Sequence, residues 1–259
     1  VLFRSIADDP APSPRSNAPH TTSLNIVGLT GNAFTQGWTE PTRIATARFA
    51  GWLPDSRRIV VADDVRHLDP RRVLADSLII YAVRGNPEPP LTGYAAPDGF
   101  LIAGLKVIPR SGAVLIRLCG FTRDGDETRI EPAGSLVRVN PLHGTTDALI
   151  DTPTVLGFDV DPTGSFVLAL DSAAGLQKVS LTVPVEINAL FDSGKVQRCD
   201  AVRISPDSRR AVLFAVDASI GAPVLHIPDL GLPAIRALPA APRGAIGFDA
   251  AGQDRKSVV

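Results

Sequence analysis

The sequence predicts an all-β protein built from a recurring four-stranded module, and three observations carry that prediction. One hairpin plan, a short strand, a Pro-containing tight turn and a β-branched run, recurs at Ala47–Asp63, Leu105–Cys119, Leu156–Asp171 and Ala201–Asp217, and begins again at Gly244. The aligned turn residues Ser56, Gly112, Gly164, Ser208 and Gly252 recur every 44 to 56 residues, a period typical of repeats that stack one sheet per unit. The 259-residue chain holds 22 Gly and 23 Pro with only 5% aromatic side chains, a balance that favours turns over long helices.

Each element follows from local chemistry. Pro presets φ at the second position of a tight turn, Asp binds the local backbone, and Gly or Ser closes it. The runs after the turns, Ile59-Val60-Val61-Ala62 and Phe166-Val167-Leu168-Ala169-Leu170 among them, are short, apolar and bounded by turns. They suit strands buried on both faces. Third strands fall at Leu78–Val83, Leu136–Val139, Leu176–Leu181 and Val224–Ile227. Fourth strands fall near Pro90–Gly93, Thr146–Ile150, Val185–Leu190 and Ala234–Leu238.

Four strands per repeat form one blade of a β-propeller. A lone blade leaves two apolar faces wet, and stacking blades around an axis covers them. Four complete blades are expected, with partial blades at both ends: Leu24–Leu29 as the last strand of a preceding one and Gly244–Asp249 as the first of a following one. The arc is then an open fragment of a six- to eight-bladed ring. Residues 6–23 are rich in Pro, Ser and Ala without apolar period and read as a disordered linker; blades occupy 24–253. The strings Val1–Ser5 and Asp254–Val259 match in-frame translations of common short-read sequencing adapters. There is no Met anywhere, and both strings are read as foreign to the protein.

Charge excludes some partners. Lys plus Arg number 26 and Asp plus Glu 27, for a net charge of −1; nucleic acid is not expected as a partner. No apolar run reaches the length of a membrane-spanning helix.

Catalytic and cofactor motifs are not found. The sequence has no G-x-S-x-G elbow, no P-loop and no G-x-G-x-x-G, so no catalytic residues and no cofactor are assigned. His20, His67, His143 and His226 share no metal-ligand spacing, and no metal site is assigned. Asp159–Gly164 imitates the start of a calcium loop, but Leu170 stands where the loop requires Glu, so a turn is expected. Cys119 and Cys199 read as free thiols, with a disulfide between them left open. Asp63, Asp171 and Asp217 each end a second strand on one face. They form either a carboxylate ring for a cation or a set of acceptors for the following turns, and the second reading is preferred.

The connections between second and third strands carry the candidate site. Asp64–Ser77 and Gly120–Ser135 are long, belong to consecutive blades and reach the same rim, and long loops are where function concentrates. They bring together Arg66, His67, Arg71, Arg72, Arg123, Asp124, Asp126, Glu127 and Arg129, a mixed-charge surface suited to a protein or peptide. Solvated, variable loops are the bland alternative.

The turns also carry a resemblance. Pro54-Asp55-Ser56-Arg57-Arg58 and Pro206-Asp207-Ser208-Arg209-Arg210 are similar to the "SPDG-R" turn of TolB-like propeller repeats, which are related in architecture to WD repeats. Asp161-Pro162-Thr163-Gly164 and Pro109-Arg110-Ser111-Gly112 match more loosely, and the Trp-Asp ending of WD repeats is missing. The resemblance implies a non-catalytic interaction or sensing module, periplasmic or extracellular. It equally implies the propeller domain of a prolyl-oligopeptidase-like hydrolase or of a lactonase-type enzyme, or the sensor region of a bacterial receptor.

Overall fold

The computed structural model describes the backbone of residues 2–6, 23–27, 29–30, 37–38, 42–66, 74–82, 89–125, 127–191, 196–217, 225–227, 229–231, 236–237, 246–248 and 254–256. Side chains are described over 49–66, 74–82, 89–125, 128–190, 202–213, 227 and 229–231. All described elements are strands: β1 (Leu2–Ile6), β2 (Ser23–Val27), β3 (Leu29–Thr30), β4 (Gly37–Trp38), β5 (Thr42–Trp52), β6 (Arg58–Asp63), β7 (Ser77–Ala82), β8 (Leu91–Ala95), β9 (Phe100–Val107), β10 (Val114–Asp124), β11 (Glu127–Asn140), β12 (Thr145–Val160), β13 (Phe166–Asp171), β14 (Gly175–Ser180), β15 (Ile187–Phe191), β16 (Val196–Ile204), β17 (Ala211–Asp217), β18 (Leu225–Ile227), β19 (Arg236–Ala237), β20 (Ile246–Phe248) and β21 (Asp254–Lys256). Every pairing is antiparallel, and the sheets are open.

Pairing recovers the repeat. Strands β5 to β8, β9 to the first half of β12, the second half of β12 to β15, and β16 to β19 form four successive four-stranded units. Two strands are shared. In β12, Thr145–Ile150 pairs with β11 as an outer strand, while Val155–Val160 pairs with β13 as an inner one. In β5, Thr42–Thr46 pairs with β2 and Ala47–Trp52 with β6. Of the residues Leu24–Leu29, expected as the last strand of a preceding blade, Leu24–Val27 belong to β2, one place away from the edge that Thr42–Thr46 occupies toward the first unit, and Leu29 belongs to β3, which pairs with β4 instead. The chain lays Leu2–Ile6 against β2 and Asp254–Lys256 against β20.

The core sits between units, as period-two alternation requires. On β10, Val114, Ile116 and Leu118 pack toward the first unit with Val60, Leu78 and Ile80, while Leu115 packs toward the third with Val167 and Val179. On β13, Leu168 and Leu170 face the fourth unit, meeting Val202, Leu213 and Ile227. Full burial of each such side chain contributes about 1.5–3 kcal/mol. Second strands carry consecutive buried apolar residues, Ile59–Ala62, Phe166–Leu170 and Ala211–Leu213, because both of their faces are covered; β10 departs from this only where Arg117 interrupts its apolar run.

The first turns interlock. The aligned residues share a left-handed backbone, with φ of 54° at Ser56, 71° at Gly112, 78° at Gly164 and 60° at Ser208. Each of the last three sits against the turn before it. A Cβ at Gly112 would lie 3.4 Å from Pro54 Cδ, and one at Gly164 only 2.8 Å from the Pro109 carbonyl. Burial opposes ionisation of Asp161, but hydrogen bonds from Ser208, Thr163 and Ser165 outweigh it and hold the carboxyl below its usual range. Gly at 112 and 164 adopts this φ without the strain that Ser56 and Ser208 carry, and at 164 it permits the close approach as well.

Candidate functional site

The two ends of the Asp64–Ser77 connection are pinned by buried carboxylates. Asp76, fully buried, accepts hydrogen bonds from the backbone N–H of Val65 (3.3 Å) and Arg66 (2.7 Å) and from Ser77 Oγ (2.6 Å). Asp64 accepts the N–H of Leu74 at 3.1 Å. Arg66 then reaches across units. Its Nε donates to Asp76 Oδ2 at 3.1 Å, Nη1 to Asp98 Oδ1 at 3.1 Å, and Nη2 to the Phe100 carbonyl at 3.2 Å. A guanidinium has enough donors to hold three acceptors in fixed directions, so Arg66 ties the first unit to the strand that opens the second.

The second long connection is not a loop. Strands β10 and β11 continue through Gly120–Ser135 as a hairpin, pairing Phe121 with Ile130, Thr122 with Arg129, Arg123 with Thr128 and Asp124 with Glu127. The expectation of a loop is corrected by β-favouring residues Phe121, Thr122, Thr128 and Ile130 on either side of Gly125, whose φ is +57°. A register shift between Cys119 and Phe121 marks a bulge. Gly134 lies opposite it, where a Cβ would come 2.1 Å from the Leu118 carbonyl; Gly lets the strands close here.

Both features meet at one place. The Phe121 N–H donates to the Gly99 carbonyl at 3.1 Å, next to the Phe100 carbonyl that Arg66 holds. The base of the hairpin and the start of the 64–76 connection thus share a rim. Arg123, Asp124 and Arg129 are exposed there, Arg123 donating to the Gly125 carbonyl at 3.2 Å. Val65 and Phe100 add exposed apolar surface. His67, Arg71, Arg72 and Asp126 lie outside the described residues, and only the backbone of Glu127 is described.

The other candidates resolve into structure. Asp171 accepts the N–H groups of Ala173 and Ala174 at 2.8 and 2.9 Å and the Thr154 hydroxyl, the turn-capping role preferred above. Asp63 accepts the Asp64 N–H at 2.9 Å and the Tyr81 hydroxyl at 3.3 Å; burial, reinforced by this carboxylate, pushes the Tyr81 phenol up to about 12. The side chains of Asp217, His226 and Cys199 lie outside the described residues. The Cys119 side chain is fully buried. Asp159 and Asp161 do not converge on one point. Asp161 accepts from the Thr163 and Ser165 N–H groups at 3.1 and 3.2 Å. Asp159 pairs with Lys106 Nζ at 2.7 Å and accepts the Ile204 N–H at 2.9 Å, joining units two, three and four. Among the described residues, no group of three or more His, Cys, Asp or Glu is placed to hold a metal.

The residues missed by the sequence reading are Asp64, Asp76, Asp98 and the Lys106–Asp159 pair. A carboxylate flanking an apolar strand, as in Asp76-Ser77-Leu78, is a usable signal for a backbone acceptor. Nothing in the spacing of Lys106 and Asp159 announces their meeting.

No protein-family model and no curated protein matches the sequence. Solved structures do match. TolB from Acinetobacter baumannii superposes with a TM-score of 0.55 at 10% identity, over 93% of this chain and 54% of that one. An oligogalacturonate lyase in complex with manganese superposes with a TM-score of 0.55 at 13% identity, over 90% of this chain and 63% of that one. The likeness defines the fold class: a TolB-like, propeller-type arrangement of antiparallel sheets. The chain spans 54% and 63% of these two solved chains. Among the described residues no helix is long and apolar enough to cross a membrane.

Proposed function

We propose that this chain is an arc of four blades, with partial blades at each end, from a non-catalytic TolB-like β-propeller that recognises a protein or peptide. The blades occupy 24–253; residues 6–23 form the linker, and 1–5 and 254–259 are foreign to the natural protein. The recognition surface is the rim where the Arg66 staple and the β10–β11 hairpin meet, extended by His67, Arg71, Arg72, Asp126 and Glu127. The carrying observation is that meeting at Gly99–Phe100, which puts exposed charges of both signs beside exposed Val65 and Phe100. Mixed charge around a small apolar centre suits a protein partner. The TolB-like fold supports a periplasmic or extracellular setting.

The test is a peptide-display selection on the 259-residue chain. Binders selected on it lose at least tenfold affinity toward Arg123→Glu with Arg129→Glu, and keep affinity toward Arg57→Glu on the opposite rim. Binders that ignore the first pair or follow Arg57 sink the assignment.

A further inference from the structure

A second site lies away from the rim, where the inner strands converge. Residues of β5, β9, β10, β12 and β16 line an open pocket of about 200 Å³. Its walls include Phe49, Phe158 and Val202, and its charged groups are Lys106, Arg117 and Arg203. Of these cations, only Lys106 has a carboxylate partner among the described residues, Asp159 at 2.7 Å.

Arg117 is underused. Its terminal nitrogens reach the carbonyls of Pro132 and Ala103 only at 3.4 Å, long for hydrogen bonds, and its buried Nε has no hydrogen-bond partner. A buried donor left unpaired requires an explanation. Arg203, which is exposed, donates to its neighbour's carbonyl, that of Val202, at 2.9 Å. Gly104, paired with Arg117, keeps the space open: a Cβ there would lie 3.0 Å from Phe158 Cε1 and 3.7 Å from Arg117 Cβ.

The geometry points to a binding site for a small aromatic monocarboxylate, its carboxylate held by Arg117 and Arg203 and its ring between Phe49 and Phe158. Size sets the scale. An apolar cavity of about 150 Å³ admits benzene, so this one takes a molecule of benzoate size and is too small for a drug-sized ligand. Arg forks match a planar carboxylate with two parallel bonds, and the surplus of positive charge favours the anion over its neutral analogue. This site stands independently of the rim.

The experiment titrates the full 259-residue chain with sodium benzoate and with benzyl alcohol, followed by ligand-observed saturation-transfer NMR, and adds inorganic phosphate as a competitor of the benzoate signal. Benzoate binds, benzyl alcohol binds at least tenfold more weakly, and phosphate leaves the benzoate signal in place. Arg117→Gln lowers benzoate affinity at least tenfold. Arg203→Gln, at an exposed position where the strand is undisturbed, lowers it at least fivefold with an unchanged far-UV circular dichroism spectrum. The site is refuted if benzyl alcohol binds as tightly as benzoate, if phosphate competes equally, if Arg203→Gln leaves affinity unchanged, or if benzoate does not bind.

Discussion

The two rims of the stack solve the same problem differently. On the rim of the first turns, each connection is short, and one left-handed residue of each turn nests against its neighbour: Gly112 on Pro54, Gly164 on Pro109, Ser208 on Asp161. On the opposite rim the connections differ in kind, one held by buried Asp64 and Asp76, the next a strand-paired hairpin. Repetition therefore marks the rim where each turn packs on the one before it, and variation marks the rim where buried carboxylates or strand pairing hold each connection by itself. Sequence freedom belongs to the second, the rim proposed above for recognition.

The largest effect that would break this contrast is on the variable rim. Asp76→Ala removes the acceptor for Arg66, the Ser77 hydroxyl and two backbone N–H groups, and each donor left buried and unsatisfied costs about 1–3 kcal/mol. A urea melt should show the midpoint falling with little change in slope. A shift no larger than that of a surface mutation would mean that the connection is not anchored there.

On the repetitive rim, Gly164→Ala meets both a left-handed φ and the Pro109 carbonyl at 2.8 Å. The φ alone costs about 1–2 kcal/mol, so a loss of about 2 kcal/mol or more is expected in the same melt. Gly112→Ala, with its nearest atom at 3.4 Å, should cost only the φ penalty. Equal losses at the two sites would show that close approach adds nothing.

Acid tests the repetitive rim. Asp55, Asp161 and Asp207 all sit in first turns, and all are held below the usual carboxylate range. Burial opposes this at Asp55 and Asp161, where hydrogen bonds win; at Asp207 the Ser205 hydroxyl leads. A depressed folded-state value means that the ionised form favours the fold. That stability is complete above the unfolded value, about pH 4, and is lost as pH falls through the folded values. The melting temperature should drop below about pH 4, and Asp161→Asn should be less stable at pH 7 and flatter in acid. An unchanged acid slope would remove Asp161 from the account.

The smallest effect is a gain. Ser56→Gly relieves about 1–2 kcal/mol of left-handed strain but adds about 0.4–1 kcal/mol of unfolded-state entropy. A net stabilisation of about 0.5 kcal/mol is expected by denaturant melt. Ser208→Gly should gain less, because it gives up the hydroxyl that faces Asp161.

Much of the fold was legible before any coordinates, for reasons particular residues make clear. Pro-Asp-Ser and Pro-Thr-Gly are local turn chemistry, and the runs after them are apolar at consecutive positions because both faces of a second strand are covered. The candidate site was less legible. Arg66 reads as one more loop charge until Asp76, Asp98 and Phe100 are seen around it. Gly120–Ser135 was misjudged because the polar residues Thr122, Arg123 and Asp124 can sit on an exposed hairpin as readily as in a loop.

The sequence by itself determined the module, its period, its turn residues and the strands that must be covered on both faces, because those depend on interactions within a few residues. Only the tertiary structure decided which turns touch, which carboxylate joins Lys106 to Ile204, and that Arg117 and Arg203 face one cavity. Those meetings join residues up to about a hundred positions apart. They are set by the angle at which one sheet packs on the next, which no local pattern encodes.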